Sequence, residues 1–149
     1  MTTTSPALGP LVAVYGLVGH DERLLVVRDS DTTTHRLPGG LVPAGEPVEY
    51  ALRRILWDQV DAHVAHLDFC AAVELPGHHA TGGEPAVYEL ALLFDVTITD
   101  PEAVQWNEGE VRWVADTDLD QIEVRPAVIA ERLRSGALTA ETPWWPSRS

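Results

Sequence analysis

The stretch that decides the fold runs from residue 37 to residue 62 and reads LPGGLVPAGEPVEYALRRILWDQVDA. It opens with a Leu-Pro-Gly-Gly turn, and five residues separate Gly40 from Glu46. Seven more residues separate Glu46 from Arg54. The proline that follows the glutamate suits the first turn of a helix, because its missing N–H would have no partner there. Apolar residues then recur at helical spacing, so we predict a helix from residue 47 to residue 62.

This stretch resembles the Nudix box, whose pattern is G-x5-E-x7-R-E-U-x-E-E-x-G-U with U aliphatic. The residues that match the pattern are Gly40, Glu46, Arg54 and Leu56. The three glutamates that follow the arginine in the family are replaced here by Ile55, Asp58 and Gln59. The glycine of the box is Asp61, and the final aliphatic position holds Ala62. The resemblance therefore implies a Nudix scaffold with altered chemistry.

In the family, the resemblance implies, Mg2+ ions bridge a diphosphate while water attacks phosphorus or a neighbouring carbon. Residues 55, 58 and 59 share one face of a helix. That face offers one carboxylate, one amide and one hydrocarbon instead of three carboxylates. Because Mg2+ requires hard anionic oxygens, we predict that Mg2+ binding is weak or absent. A single ion would use Asp58 and the Gly40 carbonyl, with help from Glu46, Gln59 or Glu110.

Four residues form the candidate catalytic set, namely Glu46, Arg54, Asp58 and Gln59. Each also has a structural interpretation. Glu46 and Arg54 could pair and anchor the loop to the helix, and Asp58 lies one turn from Arg54 and could pair with it. Gln59 could be an ordinary hydrogen-bonding residue. Ile55 either extends the apolar face of the helix or makes part of the pocket apolar, which would suit an uncharged ligand group.

A second set forms the candidate substrate-binding site: Arg28, His35, Trp106 and Glu110. Arg28 ends a strand that resembles the apolar-apolar-x-x-Arg strand preceding the family's box. His35 lies where the family often has an aromatic residue, so it could flank the base of a ligand, and Trp106 could stack on a base. Glu110 lies where many family members have an additional carboxylate, although ordinary surface charge is the alternative.

The order of elements along the chain is similar to that of the Nudix fold. Strands are predicted over residues 11–18, 23–28, 36–37, 64–75, 86–98 and 110–114, and a last helix over residues 125–134. With the box helix, this order predicts an α/β (α+β) protein with a mixed β-sheet sandwiched between α-helices. We expect a flexible N-terminal tail over residues 1–9, a Nudix domain over residues 10–136, and an aromatic C-terminal tail over residues 137–149.

Two tryptophans, Trp144 and Trp145, dominate the C-terminal tail. Each can bury roughly 150–250 Å2 of surface, so we predict that the tail is ordered. It would dock on its own domain or across a homodimer, and the homodimer is the preferred arrangement. The candidate receiving surfaces are Trp57 and the last helix near Val128 and Leu133.

Composition narrows the possible partners and the location of the protein. The chain has 149 residues and a formal net charge of -13, and such acidity argues against nucleic-acid binding. The sequence has no apolar run of the roughly 20 residues that a membrane span requires. Cys70 is the single cysteine, which rules out an internal disulfide and indicates a reducing compartment, with the cytoplasm as our expectation.

Three functional hypotheses remain open at this point. The first is a Nudix-type hydrolase-like protein that acts on or binds a nucleoside diphosphate linked to another moiety, with reduced or altered Mg2+-dependent pyrophosphohydrolase activity. The second is a catalytically inactive Nudix-fold protein that binds a nucleotide-like ligand or serves an accessory step. The third is a Nudix-derived enzyme with metal-independent chemistry.

Overall fold

The computed structural model describes residues 11–75, 88–106, 108–135 and 143–146. The predicted N-terminal tail over residues 1–9 lies outside these ranges. Most of the C-terminal tail also lies outside them. No helix among the described residues is long and apolar enough to cross a membrane.

The described residues form strands and helices in an order close to the predicted one. The strands are β1 (Leu11–His20), β2 (Arg23–Asp29), β3 (His35–Arg36), β4 (Gly39–Leu41), β5 (Val64–Leu75), β6 (Glu89–Ile98), β7 (Gly109–Ala115), β8 (Val124–Arg125) and β9 (Trp144–Trp145). The α-helices are α1 (Val48–Val60) and α2 (Ala127–Ser135). Short 3-10 helices span Pro101–Ala103 and Asp116–Gln121.

The sheet is mixed, and its main path runs in the order β8-β3-β2-β1-β6-β5-β9. Strand β4 also pairs with β1, and β7 pairs with β2. The β1–β2 hairpin is antiparallel, whereas β1 and β6 are parallel. The α/β class with a mixed sheet and few helices is thus confirmed.

Each face of the sheet carries its own hydrophobic core. On one face, Leu52 and Leu56 of α1 pack against a cluster that includes Val14 and Leu25 of the sheet. On the other face, Ile129 of α2 belongs to a cluster that includes Leu17, Val26 and Leu93. We call these the α1 face and the α2 face. Because successive strand residues point to opposite faces, the pairing register decides which candidate side chains can meet.

The C-terminal tail adds a strand that the sequence analysis did not predict. Strand β9 pairs in parallel with β5, with Trp145 opposite Val73. Trp145 is only 1% exposed and belongs to the core of the α2 face. The prediction that this side chain docks across a homodimer is therefore wrong, because its own domain buries it. Trp57 is also not its receiver, since the cluster that buries Trp145 does not include Trp57.

Candidate functional site

The box turn is held against strand β1 by a backbone contact that only glycine permits. A Cβ atom at Gly39 would lie 2.2 Å from the Val14 carbonyl oxygen and 2.9 Å from the Tyr15 Cα atom. The turn and β1 are joined further by a hydrogen bond from the Gly16 N–H to the Pro38 carbonyl. This close approach fixes the Gly39 and Gly40 carbonyls relative to the helix that follows.

Glu46, just before α1, and Arg54, within α1, form a bidentate ion pair. The Arg54 Nε and Nη2 atoms donate to the two Glu46 carboxylate oxygens, each at 2.9 Å. This hydrogen bonding holds the pKa of Glu46 below its ordinary value of 4.5. Arg54 Nη1 also lies 3.6 Å from Asp58, one helical turn away. The structure thus joins three members of the candidate catalytic set, with one guanidinium contacting two carboxylates.

Gln59 contacts the box turn directly. Its Nε2 atom donates to the Gly39 carbonyl oxygen at 3.1 Å. A carbonyl can only accept, so the atom facing it must be the amide nitrogen, and Oε1 must point elsewhere. Oε1 is buried and has no hydrogen-bond partner among the described residues. The hydrogen bond ties the end of α1 to the glycine turn.

Ile55 supplies the hydrocarbon part of the same helix face. It is 6% exposed and belongs to the core of the α1 face. Its Cδ1 atom lies 3.6 Å from the place that a Cβ on Gly40 would occupy. The helix surface next to the box glycines therefore consists of an aliphatic side chain and a neutral amide.

These residues do not fit a magnesium site built from several carboxylates. No group of three or more His, Cys, Asp or Glu side chains within the described ranges is placed to hold a metal ion. The Asp58 side chain is 59% exposed and pairs with Arg54. Among the described residues, no hydrogen bond joins Asp58 to Gly40, the other predicted ligand. Both residues remain candidate ligands for a single, weakly held ion.

The candidate substrate-binding residues are divided between the two faces of the sheet. Arg28 is paired in register with His35 on one side and with Glu110 on the other. Arg28 Nη2 donates to Glu110 at 2.9 Å, so the two candidates satisfy each other. By strand alternation these three residues share the α2 face with Val26. The box residues of α1 lie on the opposite face.

His35 is more deeply buried than a residue flanking an open ligand site would be. It is 6% exposed, and neither ring nitrogen has a hydrogen-bond partner among the described residues. Burial lowers its pKa, and the nearby Arg112 guanidinium lowers it further. The imidazole is therefore kept neutral beside Arg28.

Trp106 lies on the α1 face together with a cation that the sequence analysis did not select. The Arg36 guanidinium stacks on the Trp106 ring, 5.2 Å from its centroid. The neighbouring Gln105 N–H donates to the Val60 carbonyl at 3.1 Å, which brings this loop to the end of α1. His35 and Arg36 are consecutive residues of strand β3, and consecutive side chains of a strand point to opposite faces of the sheet. The sequence therefore already indicated that Arg36 lies on the face opposite to His35.

We expect the Glu46–Arg54 pair to make the stability of the protein pH-dependent. The pKa of Glu46 is depressed in the folded state, so its stabilising effect is complete above pH 4.5, the ordinary value. The effect should be lost as pH falls through the folded pKa. The difference in free energy of unfolding between wild type and Glu46→Gln should thus shrink on acidification. Urea unfolding across this pH range measures it, with Glu131→Gln as an exposed control, and a pH-independent difference would contradict it.

Comparison with known families and structures agrees with this fold. The model of the NUDIX domain family matches residues 8–133. The chain therefore belongs to the NUDIX domain family. Comparison with curated proteins gave no match.

Several solved structures share the fold at low sequence identity. The MutT NUDIX hydrolase from Burkholderia pseudomallei is 21% identical, with a TM-score of 0.65, 83% of this chain covered and 96% of that chain. The E. coli ORF135 protein is 17% identical, with a TM-score of 0.68 and coverage of 95% and 99%. The NUDIX domain of Shewanella oneidensis NrtR, crystallised with ADP ribose, is 16% identical, with a TM-score of 0.65 and coverage of 91% and 94%. At these identities the similarity shows the fold.

Proposed function

We propose that this chain is a Nudix hydrolase-like protein that binds a nucleoside diphosphate linked to another moiety. Its Mg2+-dependent pyrophosphohydrolase activity is reduced or altered. The observation that carries the proposal is the hydrogen bond from Gln59 Nε2 to the Gly39 carbonyl oxygen.

The chemistry of position 59 explains why this hydrogen bond matters. A glutamate here would place a carboxylate oxygen against the Gly39 carbonyl oxygen, and two acceptors repel unless a cation or a donor lies between them. Glutamine supplies an N–H instead, and the turn closes on the helix without an ion. The Gln59 amide therefore joins α1 to the Gly39 carbonyl directly, where a glutamate would need a metal ion between the two oxygens.

The remaining carboxylates of the box support the same conclusion. Glu46 is bound through both oxygens by Arg54, and Asp58 contacts the same guanidinium. Hydrogen bonding from Arg54 lowers the pKa of Glu46, and a carboxylate with a lowered pKa is a weaker base. This arrangement specifically favours the second candidate function, a binding protein in which hydrolysis has been lost.

The ligand side of the proposal rests on Arg36 and Trp106. A guanidinium binds phosphate oxygens with paired N–H donors, and an indole ring can stack on a base. The two side chains already contact each other next to the end of α1. Arg28, His35 and Glu110 are further candidate ligand contacts. They lie on the α2 face, so they would contact a different part of the ligand from Arg36 and Trp106 on the α1 face.

Titration with ADP-ribose tests this function, since it is the ligand of one structurally similar NUDIX domain. We expect calorimetry to detect binding in EDTA, with an affinity that changes by less than about threefold in roughly 5 mM Mg2+. Phosphorus NMR should show little or no cleavage under the same conditions. Arg36→Gln should weaken binding about tenfold, the usual loss for a charged hydrogen bond. Arg53→Gln, an exposed arginine on α1, serves as the matched control.

The opposite results would overturn the proposal. An affinity that rises more than about tenfold with Mg2+, or rapid cleavage of the diphosphate, would identify a metal-dependent hydrolase. Equal binding by Arg36→Gln and wild type would move the ligand away from the Trp106 loop.

We also propose a cytoplasmic location, because the chain has a single cysteine. Cys70 is half-buried, and burial raises its thiol pKa, as expected for an inert core residue. We likewise propose a homodimer, whose interface does not include the buried Trp145 side chain.

A further inference from the structure

A cavity that contains none of the box residues opens on the α1 face of the sheet. Its volume is about 420 Å3. The sheet side is formed at the β1–β2 turn and at strand β7, and the other side by Pro101 and Glu102 of the first 3-10 helix and by Val104 after it. This volume lies within the range of small-molecule sites. The box glycines, Gln59 and Trp106 do not line the cavity.

Two aromatic rings form one wall of the cavity. His20 and Trp113 meet edge to face, with ring centroids 5.8 Å apart. The His20 Nε2 atom lies 3.3 Å from the Asp21 carboxylate, which orients the imidazole. Val104 and Val111 add apolar surface. A planar ring would find an indole and aliphatic side chains to pack against.

Two charged side chains at the cavity have no partner within the described part of the chain. Arg23 and Glu102 both line it, and neither forms a side-chain hydrogen bond or ion pair with another described residue. The Arg23 guanidinium can only donate hydrogen bonds, and the Glu102 carboxylate, when ionised, can only accept them. The cavity thus offers a donor and an acceptor beside an aromatic wall.

The charge of the lining selects against anionic ligands. Asp21 and Glu102 are acidic and only Arg23 is cationic, in a protein with a formal net charge of -13. A phosphate group would meet more negative than positive charge here. A neutral ring that carries an N–H donor and a carbonyl or ring-nitrogen acceptor would match the lining without this repulsion.

We propose that this cavity binds an uncharged planar heterocycle of the nucleobase type. Trp113 packs against the ring, Glu102 accepts from its N–H group, and Arg23 donates to its acceptor. This site is separate from the box cleft, by which we mean the surface around Gly39, Gly40, Ile55 and Gln59, and it does not depend on the function proposed for that cleft.

Cytosine is the probe, because its edge carries an amino donor next to two acceptors. We expect NMR titration of the full chain to shift the Trp113 indole N–H and the His20 ring signals, with a dissociation constant in the millimolar range. Pyridine, which lacks the donor, should bind at least about fivefold more weakly. Arg23→Gln and Glu102→Gln should each weaken cytosine binding about fivefold. Glu22→Gln changes the same turn outside the lining and should bind like wild type.

Site-specific signals separate this proposal from that for the box cleft. A Gln59→Glu variant, altered only in the cleft, should bind cytosine as wild type does. Both lining variants change exposed side chains and should fold normally, and Trp113→Phe serves only to assign the indole signal. Cytosine shifts confined to residues outside the cavity, or undiminished binding by both Arg23→Gln and Glu102→Gln, would overturn the proposal. Equal binding of pyridine and cytosine would also overturn it.

Discussion

Replacing Trp145 with alanine should lower the free energy of unfolding by about 3–5 kcal/mol, the usual cost of removing a buried tryptophan. The side chain is 1% exposed, and the Arg132 guanidinium stacks on its ring, 4.4 Å from the centroid. Urea unfolding followed by circular dichroism measures the effect. Trp144→Ala is the matched control, because Trp144 neighbours it in the same strand but is 53% exposed. This control should cost less than about 1 kcal/mol.

The same variants test where the tail docks. Because Trp145 packs into its own domain, sedimentation velocity should give the same oligomeric state for wild type and Trp145→Ala at native conditions. A Trp145→Ala protein as stable as wild type would show that strand β9 does not contribute to the core. Dissociation of a dimer in either tryptophan variant would instead support the homodimer that the sequence analysis preferred.

Introducing Ile55→Glu and Gln59→Glu together should create a Mg2+ site. Both new carboxylates would face the box glycines, so their effects on Mg2+ affinity should couple by at least about 1 kcal/mol. In EDTA, Ile55→Glu should destabilise the protein by about 2–4 kcal/mol, since it puts a charge at a position only 6% exposed. Roughly 5 mM Mg2+ should raise the melting temperature of the double variant far more than that of wild type.

A neutral variant separates the metal effect from simple damage to the core. Ile55→Gln is also polar, so it should lose stability without gaining any response to Mg2+. Calorimetry on the two single variants and the double variant gives the coupling free energy. If the two changes were simply additive, residues 55 and 59 would not share an ion. A large Mg2+ response already in wild type would mean that other carboxylates form the site.

The box region was predictable because its signals are local. The glycine turn, the proline and the apolar spacing along residues 47–62 all depend on neighbouring residues, and they predicted helix α1 to within two residues at each end. Strand β5 was predicted with its observed bounds, and apolar residues occupy every second position from Leu67 to Leu75, as expected for a strand. Pairing of Glu46 with Arg54 was also predictable, since only seven residues, all of them in the predicted helix, separate the two.

The features that escaped the sequence analysis depend on contacts between distant residues. Strand β9 has only two residues, and it is a strand because β5 offers an unpaired edge there. The hydrogen bond between Gln59 and Gly39 joins residues 20 positions apart. The division of the substrate-binding set followed from the register of β2 with its neighbours, which no single strand pattern specifies.

The parallel pairing of β9 with β5 has a consequence for the synthesis of the chain. Strand β5 leaves the ribosome well before Trp145 does, yet the core of the α2 face is incomplete without that side chain. Until then, an apolar surface next to Val73 remains open to water and to other chains. Each newly made molecule therefore passes through a period in which chaperones or proteases can recognise it as unfinished. Interrupted synthesis would leave that recognition signal permanently exposed.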